Sequence, residues 1–282
     1  MPGTLFLVAT PIGNLEDITF RAIRVLQGAS VIAAEDTRRT ATLLAHYGIA
    51  TKTTSLHDHN ERDRVPALVA RLVRGEDVAV VTDAGMPSIS DPGYLIVRSA
   101  VEAGVRIEVI PGASALTTAI AGAGLPSERV YFVGFAPARA GERQRWFAGW
   151  QGMRGTIVFF EVPHRLKNSL HDLMTTLGNR EVVVAHELTK IHESWHRGFV
   201  SDLLSAAQLP EKGEFTVVVG ERVQSLIGEE QATVETIAFE FGELTNLSGL
   251  TRKDAISELA KKHGLPKREV YSLIEQGKKS VE

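Results

Sequence analysis

Short apolar runs alternate with amphipathic segments along the first 111 residues of the chain. The runs are almost entirely aliphatic, which is typical of parallel strands covered on both faces; they lie at residues 4–9, 30–34, 52–56, 77–82 and 106–110. Between them, apolar residues recur three or four positions apart, which predicts helices over residues 19–27, 37–47, 61–74 and 93–103. This alternation indicates βαβ units and an open, mostly parallel sheet.

A second set of elements begins near residue 125. Strands are predicted at residues 129–135, 156–161, 181–187, 195–200 and 214–220, and helices at 141–150, 165–177 and 201–208. Because these strands follow one another more closely, we expect a mixed sheet. The prediction is therefore an α/β fold with an N-terminal α/β domain over residues 1–122 and a C-terminal α/β domain over residues 123–222.

The composition changes again near residue 223, and we predict a small helical domain over residues 231–282. Residues 250–274 resemble a helix-turn-helix, with Gly264 at the turn and Thr251 capping the first helix. Residues 251–282 hold eight Lys or Arg against five acids. This excess fits a solvated helical face and a nucleic-acid contact equally well. The candidate RNA contacts in this region are Lys261, Lys262, Lys267 and Arg268.

A second basic cluster contains Arg139, Arg143 and Arg145, next to Trp146 and Trp150. Arginines interleaved with aromatic residues can hold phosphates and stack bases, so the three arginines are further candidates for RNA binding. The same spacing is also that of an amphipathic helix that buries both tryptophans on one face.

The composition excludes several classes of protein. The 282 residues include no cysteine, which excludes disulfides and thiolate metal sites and favours a cytoplasmic location. No stretch approaches the ~20 apolar residues of a membrane span, so we expect no membrane partner. The formal net charge is −3, and a nucleic acid would therefore have to meet a local basic patch.

The common catalytic motifs are absent or poorly placed. The chain contains no P-loop, no G-x-G-x-x-G turn after a strand and no G-x-S-x-G elbow. The string HESWH at residues 192–196 matches a zinc-protease pattern, but that chemistry requires both histidines on one face of a helix. Here the segment is better explained as a strand, which would separate His192 from His196 by about 13 Å. We therefore predict no metal site.

Glycine, proline and small polar residues follow four of the predicted strands of the first sheet, in the strings ATPIGN, AEDT, TDAGMP and IPGAS. The carboxyl ends of parallel strands share one edge of a sheet, where ligands bind in open α/β folds. Small residues there allow a ligand to approach the backbone closely. Turns in α/β proteins use the same residues, but their coincidence at one edge favours a ligand site.

These strings and others resemble those of the S-adenosylmethionine-dependent tetrapyrrole methylases. The resemblance runs in unbroken order over about residues 4–220. It is carried by ATPIGNLEDIT (9–19), AAEDTR (33–38), LHDHNE (56–61), TDAGMP (82–87), SDPG (90–93), IPG (110–112), ELTK (187–190) and GEFT (213–216). Met86 departs from the family pattern, in which we expect threonine, and the helical tail resembles the family least.

The resemblance implies a two-domain class III methyltransferase that acts as a homodimer and binds S-adenosylmethionine in the cleft between its domains. Transferred by motif, the donor site uses Pro11, Asp83, Gly85, Ser88, Ile89, Ser114, Phe160 and Glu161. Glycine-lined strand ends offer backbone N–H groups to such a ligand, and a carboxylate such as Asp83 suits its positive charge.

Within the family, the strings resemble those of members that methylate ribosomal RNA. This implies methyl transfer to the ribose 2′-hydroxyl of a cytidine in 16S rRNA within the small ribosomal subunit, with no duplex DNA as partner. A general base that removes the hydroxyl proton, or a cation near the developing alkoxide, would accelerate this methyl transfer. Candidates at the strand ends include Asp36, His57 and Glu187; we favour Glu35 as base and Lys190 as oxyanion stabiliser, although an ion pair would explain each as well.

Two alternatives remain at this stage. The methyl acceptor could be a tetrapyrrole-like small molecule, as elsewhere in the family. In a different class of function, the α/β part would sense S-adenosylmethionine and the helical tail would bind DNA as a regulator. Salt-sensitive duplex binding without methyl transfer would favour the regulator.

Overall fold

The first sheet contains five parallel strands in the order β3-β2-β4-β1-β5. The computed structural model describes residues 1–205, 209–210, 212–221, 234–246, 250–263 and 265–279. The strands are β1 Thr4–Val8, β2 Val31–Ala34, β3 Thr53–Ser55, β4 Val78–Val81 and β5 Arg106–Ile110. All four residues of β2 and of β4 are buried, as the continuous aliphatic runs predict for central strands.

Helices cover both faces of this sheet. They are α1 Phe20–Gly28, α2 Thr37–His46, α3 Glu61–Val73 and α4 Tyr94–Glu102, and a short 3-10 helix spans Leu15–Asp17. Two apolar clusters form, one containing Leu68 and Ile96 and the other containing Leu26 and Leu44. The parallel sheet and its helices confirm the sequence prediction to within one residue at each end.

The second sheet is mixed, with the order β6-β7-β10-β8-β9. Its strands are β6 Val130–Phe135, β7 Thr156–Glu161, β8 Glu181–His186, β9 Ser194–Phe199 and β10 Phe215–Val219. Strands β6 and β7 are parallel, and the other neighbours are antiparallel. Helices α6 Ala140–Ala148, α7 Pro163–Leu177 and α8 Val200–Ser205 accompany this sheet. The mixed pairing confirms the prediction made from the close spacing of the strands.

Helix α5, Ala115–Ala123, was not predicted. It follows the last strand of the first sheet but packs against the second, where Ala119 and Ala123 join a cluster with Val158 and Val218. Its sequence, ALTTAIAGA, has small side chains in place of a regular stripe of large ones, so its periodicity is weak. Close packing on a sheet stabilises it.

Contacts divide the chain into two compact units, Met1–Arg222 and Val223–Glu282. The second unit contains helices α9 Val234–Asn246, α10 Arg252–His263 and α11 Lys267–Lys279. The backbone N–H of Asp254 donates to Thr251 Oγ1 over 3.3 Å, so Thr251 caps α10 as predicted. Gly264 lies outside the described residues. The predicted boundary between the two α/β domains stays a prediction.

No helix in the described ranges is both long and apolar enough to cross a membrane.

The tryptophans of the basic cluster pack together in the core of the second sheet, with 4.1 Å between the ring centroids of Trp146 and Trp150. The two tryptophans are therefore core residues, as the amphipathic-helix alternative predicted, and do not form an exposed surface for stacking bases.

The structure corrects the expectation that Arg143 contacts RNA, because this side chain is buried. Only 3% of Arg143 is exposed. Its Nε donates to Asp172 over 2.8 Å, and its Nη1 donates to the carbonyls of Pro137 and Ala138. The guanidinium thus holds the turn before α6 against α7, and the pattern of arginines alone could not show this.

We predict that Arg143→Met lowers the free energy of unfolding by about 3–5 kcal/mol, because Asp172 would stay buried without its cation. Arg145→Met is the matched control: Arg145 is exposed on the same helix, and its removal should change the value by no more than about 0.5 kcal/mol. Urea unfolding of the three proteins measures both. Equal free energies of unfolding for the two variants would contradict a structural role for the buried Arg143–Asp172 pair.

Candidate active site

The ends of strands β1 and β4 are joined directly through the backbone. Thr10 N donates to Gly85 O over 2.9 Å, and Gly85 N donates to Thr10 O over 3.0 Å. The Thr10 hydroxyl also donates to the carbonyl of Thr82 over 3.0 Å. Gly85 has φ = +87°, a conformation that favours glycine. The two loops therefore form a continuous floor at the carboxyl edge of the first sheet.

A cleft of about 320 Å³ opens above this floor, a size within the range of small-molecule sites. The first sheet and its loops contribute Ile12, Glu35, Arg39 and residues 83–86, 89–91 and 114–116. The second sheet contributes Phe135, Leu188 and residues 160–162 and 214–216. The cleft thus lies where the strand ends of one sheet face the other.

Two carboxylates on the floor are held by specific donors. Glu35 Oε2 accepts from the Thr82 hydroxyl over 2.5 Å and from Asp83 N over 3.1 Å. Asp83 Oδ1 accepts from Asp36 N over 3.1 Å, and Asp83 Oδ2 lies 3.0 Å from Arg39 Nη1. Each carboxylate therefore fixes the end of a neighbouring strand as well as facing the cleft.

Burial and mutual repulsion shift the acidity of this cluster. Burial, together with the charge of Glu35, raises the pKa of Asp83. Burial raises the pKa of Asp91 to about 6; the Thr82 hydroxyl opposes this rise, and the charges of Glu35, Asp83 and Asp58 add to it. Clustered carboxylates with raised pKa values are typical of functional sites.

The second sheet contributes an aromatic wall and a buried acid. Phe160 packs edge-on against Phe132 and Phe135, with centroids 5.0 and 5.3 Å apart. Glu161 is 1% exposed; its carboxylate accepts from Val162 N over 2.8 Å and pairs with Arg165 over 2.9 Å. The charge of Glu161 is thus neutralised inside the protein.

Lys190 lies in an ion-pair cluster beside the cleft. Its Nζ is 2.8 Å from Glu187 Oε1 and 3.0 Å from Glu214 Oε2. Burial opposes both charges, but hydrogen bonds outweigh it, so the pKa of Lys190 is raised and that of Glu187 is lowered. Glu214 lines the cleft, whereas Lys190 does not belong to the described residues that line it. Lys190 therefore reaches the cleft through Glu214.

The structure brings most of the predicted donor-site residues together. Among the residues that line this cleft are the predicted donor-site residues Asp83, Gly85, Ile89, Ser114, Phe160 and Glu161, and also the predicted base Glu35. Pro11 and Ser88 each adjoin a lining residue in the chain. Ser88 has φ = +70°, and its buried Oγ lacks a hydrogen-bond partner in the described part of the chain.

Sequence reasoning missed several residues of this cleft. Asp91 and Ser90 lie in the SDPG string, which signalled the family but gave no role to its acid. Arg39 stands next to the AAEDTR string and reaches Asp83. Leu188 lies inside the ELTK string, in which Lys190 was the residue singled out. The sequence could have indicated these residues as parts of the cleft only through their position in or next to a string typical of the family.

The other basic candidates differ in their surroundings. Arg139 caps the start of α6 and lies 3.2 Å from Glu142, and Arg145 is exposed on that helix. Lys261 is exposed on α10, and Lys267 and Arg268 are exposed at the start of α11. The Lys262 side chain lies outside the described residues.

The HESWH string forms part of an antiparallel pair, in which His196 of β9 lies opposite Val184 of β8. Across the described residues, no group of three or more His, Asp and Glu side chains is arranged to hold a metal ion. The strand prediction is therefore confirmed for residues 194–196, whereas His192 and Glu193 precede β9.

The structure is thus that of an α/β protein in which the strand ends of a parallel sheet face a mixed sheet across a ligand-sized cleft. A family model described as Tetrapyrrole (Corrin/Porphyrin) Methylases matches residues 4–204. The chain therefore belongs to the tetrapyrrole methylase family. The fold agrees with the crystal structure of the methyltransferase CobJ, with a TM-score of 0.60 at 18% identity over 81% of this chain and 98% of that one.

Two curated relatives resemble the chain over nearly its whole length. Both are named "Ribosomal RNA small subunit methyltransferase I". The protein from Halalkalibacterium halodurans is 44% identical over 97% of this chain and 95% of its own. The protein from Escherichia coli O157:H7 is 42% identical over 98% of this chain and 96% of its own. The similarity therefore includes the helical tail, where the motif resemblance was weakest.

S-adenosylmethionine is the methyl donor of this family, and the residues of the cleft fit it. The N-terminus of α5 opens on the cleft, and the Ser114 hydroxyl accepts no hydrogen bond from the described first turn. A helix N-terminus with a free hydroxyl suits a carboxylate. The acids Asp83 and Asp91 on the floor suit an ammonium and a sulfonium group.

Gly13 sets the distance between the two walls of the cleft. A Cβ added there would lie 2.4 Å from Lys190 Cγ and 2.9 Å from the carbonyl oxygen of Leu188. We predict that Gly13→Ala separates these loops at a cost of about 1–3 kcal/mol and weakens S-adenosylmethionine binding tenfold or more.

Calorimetric titration measures this affinity. Gly28→Ala is the matched control, because a Cβ at this helical glycine would meet nothing within 4 Å. Its affinity should equal that of the unmodified protein. An unchanged affinity in Gly13→Ala would show that the loop contact does not shape the site.

Proposed function

We propose that the protein transfers a methyl group from S-adenosylmethionine to the ribose 2′-hydroxyl of a cytidine in 16S rRNA. The observation that carries this proposal is the near-complete coverage by relatives named as small-subunit rRNA methyltransferases. A cleft with donor-site chemistry between the two sheets supports it. The acceptor would be met in the cytoplasm, on the small ribosomal subunit.

The bound donor supplies a methyl group that its sulfonium already activates. The protein's contribution is then mainly orientation, together with removal of the acceptor proton. The floor at Gly85 lets a ligand approach the backbone, and Asp83 faces its positive charge. Phe160 and Phe135 form an apolar part of the cleft wall.

The two residues favoured as catalytic groups receive different roles. Glu35 is occupied by the Thr82 hydroxyl and the Asp83 backbone, so we assign it to positioning of the β4 loop. Lys190 is held by Glu187 and Glu214, so we assign it to orienting Glu214 at the cleft. An ion pair thus accounts for Lys190 without a direct contact to the acceptor oxygen.

The alternatives receive less support. Neither of the two curated relatives is named for a small-molecule acceptor or for DNA binding. The homodimer stays a prediction of the family resemblance. It is favoured by β5, an edge strand with Val109 half-exposed, and by the almost fully exposed Phe20 on α1. Exposed edges and apolar side chains of this kind are commonly covered by a partner.

We expect labelled methyl from S-adenosylmethionine to enter small ribosomal subunits taken from cells that lack this protein. Nuclease mapping should place the label on the ribose of one cytidine. Subunits from cells that contain the protein are the control and should accept little label, because the site is already modified. Label on a base, or none on any rRNA, would contradict the proposal.

We also predict that the helical unit contributes to RNA affinity. The variant Lys267→Ala/Arg268→Ala should bind small subunits more weakly, and the slope of log K against log salt should fall by about 1 for each phosphate that no longer pairs with a cation. Lys52→Ala is the control, since exposed Lys52 precedes β3 at the edge opposite the strand ends. Filter binding at several salt concentrations measures both. Identical slopes in all proteins would exclude a role for these two cations.

A further inference from the structure

Arg39 is a cation at the mouth of an otherwise acidic cleft. Among the described residues that line the cleft, it alone carries a positive charge, whereas several others are acids. Its side chain is 71% exposed, and its Nη1 lies 3.0 Å from Asp83 Oδ2. An exposed ion pair of this kind contributes little to stability, because water solvates the guanidinium well without it. The ion pair therefore does not by itself explain why a cation lies here.

The position of Arg39 in α2 does not favour a cation either. Arg38 and Arg39 both lie in the first turn of this helix, which contains no acid. The helix dipole opposes positive charges at the N-terminus, since the backbone N–H groups there carry partial positive charge. The stability of α2 therefore gives no reason for two arginines at this point. Local preferences that are violated in this way are expected at functional sites.

The two neighbouring arginines differ in how fully their guanidinium groups are occupied. A guanidinium presents several N–H donors in a planar fork that matches a carboxylate or a phosphate. The Nε and Nη2 of Arg38 lie 3.1 and 2.8 Å from the two carboxylate oxygens of Asp36, so this fork is already filled. Within the described part of the chain, Arg39 forms one ion-pair contact, through Nη1. Arg39 can therefore bind a further anion.

This anion is not the carboxylate of the methyl donor. The donor carboxylate suits Ser114 and the N-terminus of α5, which follows β5. Arg39 reaches the end of β4, and β1 lies between β4 and β5 in the sheet. At about 4.8 Å between neighbouring strands, the two places are roughly 10 Å apart. That distance is too long for an ion pair, so Arg39 faces a different anion.

We propose that Arg39 binds the phosphate on the 3′ side of the target nucleotide, an assignment that rests on the proposed function. In RNA, the carbon that carries the 2′-hydroxyl is bonded to the carbon that carries the 3′-phosphate. This phosphate therefore accompanies the acceptor hydroxyl to the cleft. The carboxylates of the floor repel it, whereas Arg39 at the mouth attracts it. The ribose can then enter while the phosphate stays at the mouth.

The test compares Arg39→Met with Arg38→Met in filter binding to small ribosomal subunits at several salt concentrations. Arg39→Met should weaken binding about tenfold and lower the slope of log K against log salt by about 1, because one phosphate loses its cation. Its calorimetric affinity for S-adenosylmethionine should fall by less than about threefold. Arg38→Met is the matched control; because Arg38 is filled by Asp36, this variant should weaken subunit binding by less than about threefold and keep the slope.

Arg39→Lys separates the charge from the geometry of the fork. Lysine keeps the positive charge but cannot bind a phosphate through two parallel hydrogen bonds. This variant should therefore keep the salt slope of the unmodified protein and bind subunits more strongly than Arg39→Met. A slope as low as that of Arg39→Met would contradict a contact between the cation and a phosphate.

Phosphate ethylation interference identifies the phosphate. Small subunits from cells that lack this protein are ethylated sparsely at their phosphates, and the bound and unbound fractions are separated on a filter. Ethylation on the 3′ side of the target cytidine should exclude subunits from the fraction bound by the unmodified protein, because the phosphate ester then carries no charge. The same ethylation should have little further effect with Arg39→Met. Equal interference in both proteins would contradict the contact.

The outcomes separate this assignment from the proposed function. If the unmodified protein methylates the ribose and Arg39→Met binds subunits with unchanged affinity and slope, the phosphate assignment fails and the function stands. An equal loss of affinity for S-adenosylmethionine and for subunits would make Arg39 a donor-binding residue and would also overturn the assignment. If the unmodified protein methylates no rRNA, both fail.

Discussion

The reciprocal backbone hydrogen bonds between Thr10 and Gly85 are the constraint on which the rest of the site depends. They join the loops after β1 and β4, adjacent parallel strands whose hydrogen-bonding ladder ends just before them. Because Gly85 has a positive φ, the chain turns beneath the cleft with no side chain above it. The β4 loop can then continue to Asp91, and the β1 loop can continue to the second sheet.

The second contact of the β1 loop closes the cleft from the other side. Asn14 N donates to Thr189 Oγ1 over 3.1 Å, and Gly13 approaches the Leu188 carbonyl. Thr189 itself has φ = +66°, so the ELTK segment adopts a strained turn to make this contact. The donor site thus depends on two loops from different sheets that meet at one glycine.

Charge is distributed unevenly, and the distribution suits an enzyme that brings a cationic donor to a polyanion. The floor concentrates the carboxylates of Glu35, Asp83 and Asp91, whereas exposed cations lie on α6, α10 and α11. An acidic floor would repel RNA phosphates, so only the ribose edge of one nucleotide would be expected to enter. Exposed cations on these helices can supply the general attraction to RNA.

The sequence by itself determined the strands, most helices and the edge at which the ligand site lies, because these depend on the local periodicity of apolar residues and on glycine and proline at strand ends. Only the tertiary structure showed that α5 packs on the second sheet and that Arg143 is buried in an ion pair with Asp172. It also showed that Lys190 forms ion pairs with Glu187 and Glu214. These outcomes depend on pairings between distant parts of the chain, which decide burial and charge neutralisation and leave no local pattern.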